Sequence, residues 1–117
     1  MTTVLIVDDH ASFRASARAL LAAEGFEVVG EAEDGEIAVD EIARLRPDVV
    51  LLDIQLPGID GFEVANRVAA NGARPDIILT SSRDAGDYGD LVTQSPARGF
   101  VPKDELSGAA IAALLDV

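Results

Sequence analysis

Cysteine is absent from the 117 residues. Disulfides and thiolate metal sites are therefore excluded, which suits a reducing, cytoplasmic setting. Cationic side chains are scarce: 9 Lys and Arg stand against 21 Asp and Glu, for a formal net charge of −12. A surface of that sign repels phosphate backbones and argues against direct DNA or RNA binding by this chain. No apolar run approaches the ~20 residues of a membrane span, so no membrane association is expected. The start, Met1-Thr2-Thr3, carries no basic region of the kind that opens a signal peptide. Linkers, repeats and low-complexity stretches are also missing. Histidine occurs once, as His10.

What remains is rich enough for a core. Apolar residues make up 49% of the chain, and its length suits one domain, taken here as residues 1–117. The chain is organised around Asp48-Val49-Val50-Leu51-Leu52-Asp53-Ile54-Gln55-Leu56-Pro57-Gly58. Four branched apolar residues run into one carboxylate, and Pro57-Gly58 then turns the chain. That pattern reads as a strand buried on both faces, in the middle of a parallel sheet. Val4-Leu5-Ile6-Val7 is a second such run, ending in Asp8-Asp9, and Ile77-Ile78-Leu79 is a third, ending in Thr80-Ser81-Ser82. Residues 26–30 alternate loosely and read as an edge strand. Gly99-Phe100-Val101-Pro102 is a short strand whose proline cannot donate to a ladder, so it too belongs at an edge.

Helices fall between the strands. Phe13, Ala17, Leu20 and Leu21 form one stripe, stopped by Gly25. Ala38, Ile42 and Leu45 form another, opened by Asp34-Gly35 and ended before Pro47. Asp60 and Glu63 suggest a capping box for a third helix, which Asn71-Gly72 closes. Residues 83–97 are the weakest helix candidate: Gly86, Gly89 and Pro96 interrupt them, and only Tyr88, Leu91 and Val92 offer packing. An alanine-rich helix over 106–115 ends the pattern. This alternation predicts an α/β fold with a five-stranded parallel sheet in the order 2-1-3-4-5, helices covering both faces.

In such a sheet the strand ends deliver Asp8, Asp9, Asp53, Thr80 with Ser81, and Lys103 to one rim. Three carboxylates in one pocket repel unless a cation sits among them. A hard divalent ion with oxygen ligands answers that, and Mg²⁺ is the natural choice. A carboxylate can attack phosphorus, and the transferred oxygens then need neutralising, for which Lys103 and Thr80 supply an ammonium and a hydroxyl. Taken singly, each residue has a plainer role: Asp53 as a turn former, the acidic pair as a helix cap, Thr80 as a satisfied hydroxyl, Lys103 as a solvated charge. It is their conjunction at successive strand ends that points to phosphoryl transfer onto Asp53. His10 reads as an exposed first-turn residue.

With these motifs, and with Gly99-Phe100-Val101-Pro102-Lys103, the whole chain resembles a response-regulator receiver domain of two-component signalling, a CheY-like domain. The resemblance implies that Asp53 accepts a phosphoryl group from a sensor histidine kinase, with Mg²⁺ held by Asp9, Asp53 and the backbone carbonyl of Gln55, and by Asp8 through a water. It implies that Thr80 and Lys103 contact the phosphoryl oxygens, and that Phe100 occupies an aromatic switch position. Ser81 falls where such domains tune access to the phosphoryl group. It further implies a signalling role rather than that of an enzyme, apart from self-phosphorylation and self-dephosphorylation. The expected output face is helix 4, strand 5 and helix 5, serving an output domain or partner protein, or a homodimer formed on phosphorylation. One departure is that Asp104, not proline, follows Lys103, so a cis bond there is not assumed. Another is the thin fourth helix, which suggests a mobile segment reordered by phosphorylation.

Rival readings fit less well. A phosphatase of the haloacid dehalogenase type wants its nucleophile after the first strand and a second Asp two residues on, where His10 stands. A flavodoxin-like cofactor binder wants a phosphate loop rich in Ser, Thr or Gly where Asp8-Asp9-His10 lies. A receiver-like docking module that is never phosphorylated is the remaining alternative, and the intact acidic pair, Asp53, Thr80 and Lys103 argue against it.

Overall fold

The computed structural model describes residues 1–115. Five strands, β1 (Thr3–Val7), β2 (Glu27–Ala32), β3 (Val49–Asp53), β4 (Asp76–Ser81) and β5 (Gly99–Pro102), form one sheet in the order β2-β1-β3-β4-β5. Every pairing is parallel. The expected order is thus observed, with β3 central and β2 and β5 at the edges. All five residues of β3 are buried, as its unbroken apolar run requires.

Alternation along the strands sorts the core into two layers. Val4, Ile6, Val49, Leu51, Ile78 and Val101 face one side, against Ala17 and Leu21 of α1 (Ala11–Ala23) and Ile111 of α5 (Gly108–Leu115). Leu5, Val7, Val50, Leu52, Ile77 and Leu79 face the other, against α2 (Gly35–Leu45) and α3 (Gly61–Ala70).

The helix ends follow their sequence signals with one amendment. Asp34 and Asp60 cap α2 and α3, each accepting from the backbone N–H three residues on, at 2.8 and 2.9 Å. The capping box at Asp60 is only half built, because Glu63 turns instead to Arg67 at 2.9 Å. The segment 83–97 holds a 3-10 turn (Ala85–Tyr88) and a single α-helical turn, α4 (Leu91–Gln94). Gly89, between them, has φ +59° and breaks the helical path. Leu91 is exposed, whereas Tyr88 and Val92 pack on the core. The last helix starts later than its alanine-rich pattern suggests: Lys103–Glu105 form a 3-10 turn and α5 begins at Gly108. The peptide after Lys103 is trans.

Among the described residues no helix is long and apolar enough to cross a membrane.

Candidate functional site

The same alternation that sorts the core also builds the site. Asp8, Asp53, Thr80 and Lys103 continue the side-chain series of Ile6, Leu51, Ile78 and Val101, so they point toward the α1 and α5 layer. All four leave the sheet at its carboxyl-terminal rim, where open α/β sheets bind ligands. Asp53 and Thr80 are paired in register across β3 and β4.

The loop after Asp53 is held close by a glycine. Gly61 donates its N–H to the carbonyl of Ile54 at 2.8 Å. A Cβ on Gly61 would stand 2.5 Å from the carbonyl oxygen of Asp53, closer than any side chain tolerates. Gly58 completes the turn with φ +77°. The backbone N–H of Gln55 donates to Asp53 Oδ1 at 3.1 Å, which fixes the carboxylate from below.

Asp8 and Asp53 are almost wholly buried. Lys103 Nζ lies 2.6 Å from Asp8 Oδ2 and 3.3 Å from Asp53 Oδ2. The contact to Asp8 is a close ion pair, in which the ammonium faces Asp8 Oδ2. Thr80 Oγ1 is buried and has no hydrogen-bond partner among the described residues. Such a group is costly unless something completes it. Burial, and then the charge of Asp8, push the Asp53 carboxyl up to about 6, against the pull of Lys103. Burial disfavours the charge of Lys103, but the Asp8 and Asp53 carboxylates outweigh it and raise its pKa. Its ammonium also sits 4.5 Å from the centre of the Phe13 ring, a cation–π contact that aims the flexible stem.

Asp8, Asp9, His10 and Asp53 each offer one ligand atom within 4.8 Å of the others. Asp9 is partly exposed, at the mouth. The three carboxylates of this cluster offer the oxygen ligands that a hard divalent cation takes. The structure therefore brings Asp8, Asp9, Asp53, Thr80 and Lys103 to one rim, with the Gln55 backbone 3.1 Å from the Asp53 carboxylate; Phe100 lies apart from them.

Phe100 faces the other layer, half-buried, its ring centroid 6.3 Å from that of Tyr88. Tyr88 in turn meets Phe62 edge-on at 5.7 Å. Ser81, expected near the phosphoryl position, also faces that layer and shares a 2.6 Å hydrogen bond with the Tyr88 hydroxyl. Thr80 and Ser81 are thus adjacent hydroxyls on opposite sides of the sheet. Sequence reasoning gave Tyr88 no role beyond packing; its being the sole tyrosine, seven residues after a strand-end serine, was the available signal. It also missed Arg14, which donates to the Asp8 carbonyl at 2.7 Å and to Glu31 at 2.9 Å. No local pattern announces that contact, because Glu31 lies on β2.

A cleft of about 650 Å³ lies elsewhere, at the amino-terminal end of the sheet between residues 46–48 and 71–76. It contains none of the residues above, and chemistry, not size, locates the site.

The family model for the response regulator receiver domain matches residues 4–115. The chain belongs to this family. It is 34% identical over 113 residues to the transcriptional regulatory protein PdtaR of Mycobacterium tuberculosis, covering 89% of this chain and 55% of PdtaR. Among solved structures, the signal receiver domain of the response regulator NarL from Mycobacterium tuberculosis superposes with a TM-score of 0.87 at 35% identity, covering 99% of this chain and 98% of that one. The CheX–CheY complex with BeF₃ and Mg²⁺ from Borrelia burgdorferi superposes at 0.83 with 26% identity, covering 97% and 86%. This receiver domain spans between about a quarter and about half the length of the first curated relatives it matches.

Proposed function

We propose that this receiver domain accepts a phosphoryl group on Asp53 from the phosphohistidine of a sensor kinase. The observation that carries the reading is the pairing, at one rim, of a buried carboxylate with a half-buried ammonium 3.3 Å away and a hydroxyl on the adjoining strand that has no hydrogen-bond partner among the described residues. In the reaction an Asp53 oxygen attacks phosphorus, a P–O bond forms, the P–N bond breaks and the electron pair leaves with the kinase imidazole. Lys103 neutralises charge on the transferred oxygens, and the Thr80 hydroxyl donates a hydrogen bond to one of them. Asp8, Asp9 and Asp53, with the carbonyl of Gln55, would hold Mg²⁺. When bound, the ion supplies charge neutralisation for the acidic cluster and the incoming phosphate.

Movement of Thr80 reaches the opposite layer through Ser81, Tyr88 and Phe100, and so the face of α4, β5 and α5. That face serves an output domain, a partner protein or a second phosphorylated copy. The reading places the protein in the cytoplasm. It assigns no nucleic-acid contact to this domain, whose net charge is −12, and no enzymatic turnover beyond its own phosphorylation and dephosphorylation.

Incubation with acetyl phosphate and Mg²⁺, followed by intact mass, tests the reading. The expected product is one base-labile phosphoryl adduct, lost in Asp53→Asn. Absence of any adduct with every divalent ion tried would favour the docking module instead.

A further inference from the structure

We propose that His10 supplies a nitrogen ligand to the cation site, which makes that site a better host for Co²⁺ and Ni²⁺ than its carboxylates alone would be. The inference rests on the reading that Asp8, Asp9 and Asp53 hold a divalent ion. His10 Nδ1 lies 3.0 Å from Asp9 Oδ1 and 3.2 Å from Asp8 Oδ1. Ligands bound at ~2.1 Å sit about 3.0 Å apart along the edge of an octahedron, so the nitrogen already stands at about that spacing from each of the two oxygens. Opposite corners of the same octahedron are about 4.2 Å apart, and the four candidate ligand atoms span at most 4.8 Å. Little contraction is needed to bring all four onto one ion.

The position is not occupied for capping. His10 is the N-cap of α1, where Ser, Thr, Asp or Asn would serve the helix, and its side chain makes no cap hydrogen bond. Its backbone N–H donates to Asp8 Oδ1 at 2.8 Å, which fixes the loop that aims the ring. The side chain is 66% exposed. Water can therefore accept the proton on Nε2, and the contact of Nδ1 with Asp8 Oδ1, a hydrogen bond when Nδ1 carries the proton, is then replaced by the ion. An imidazole among carboxylates raises affinity along the first-row series much more than for Mg²⁺, which prefers oxygen.

The composition makes the test unusually clean. The untagged chain has no cysteine and no second histidine, so any imidazole signature belongs to His10. Calorimetric titration of the wild type and His10→Ala with Mg²⁺ and with Co²⁺ is the experiment. The Co²⁺ Kd should weaken about tenfold or more in the variant, while that for Mg²⁺ changes less than about threefold, since oxygen ligands carry it. In parallel, Zn²⁺ added to ¹⁵N-labelled wild type should move the Nδ1 resonance of the single imidazole while Nε2 stays protonated. Loss of Mg²⁺ and Co²⁺ affinity by the same factor in the variant, or an Nδ1 resonance indifferent to Zn²⁺, would overturn the inference. A wild type that binds neither Mg²⁺ nor Co²⁺ would instead overturn the reading on which it rests.

Discussion

Asp53 is ionised at a cost the fold carries in advance. Its carboxyl is raised from an ordinary value near 3.8 to about 6, which is the reverse of a salt-bridged carboxylate. Below pH ~4 both folded and unfolded chains hold the proton, and no difference arises. Between about 4 and 6 the unfolded chain releases it first, so stability falls as pH rises; above about 6 the loss is complete. In metal-free buffer, Asp53→Asn should therefore raise the Tm at pH 7.5 and leave it little changed at pH 4. A lower Tm at pH 7.5 would mean that the Lys103 contact outweighs burial. Gly61 tests the site from the backbone side. Gly61→Ala, forced against the Asp53 carbonyl, should cost about 1–3 kcal/mol in urea unfolding and slow adduct formation as the loop is pushed away.

At the scale of elements, the segment after β4 is the informative one. It packs through Tyr88 and Val92, and its hydroxyl link to Ser81 is a single bond. Tyr88→Phe keeps the ring contacts with Phe62 and Phe100 and removes that bond, at about 1 kcal/mol. Amide exchange over residues 83–97 should quicken in this variant more than in α3. Exchange there as slow as in α3, in both wild type and variant, would show that the segment is not held by the tyrosine. The same region shows where the sequence could be read and where it could not. Continuous branched runs such as Val49 to Leu52 admit only a buried strand, and an aspartate after such a run can only lie at its end; fold and acidic rim followed from this. Helix lengths did not follow as well, since Gly89 and the late start at Gly108 depend on what each turn packs against. The Arg14 bridge to Asp8 and the turning of Ser81 toward Tyr88 are tertiary pairings without a local signal.

For the whole molecule, charge is the governing quantity. A net −12 on 117 residues is self-repulsive in the compact state, so added NaCl should raise the Tm of the metal-free protein through screening. Mg²⁺ should raise it further at constant ionic strength, by mass action on the folded form. Asp53→Asn should blunt the Mg²⁺ response and spare the NaCl response; equal responses to both salts would mean that the cation is only a counterion.

The placing of two neighbouring hydroxyls on opposite sides of β4 makes the length of that strand as consequential as its composition. One residue deleted between Asp76 and Thr80, with the start of the strand held in register, would exchange their orientations, setting the serine at the acidic rim and turning the threonine into the opposite layer. Insertions and deletions in β4 are thus barred in odd numbers by the pleat itself, before any question of which side chains are present.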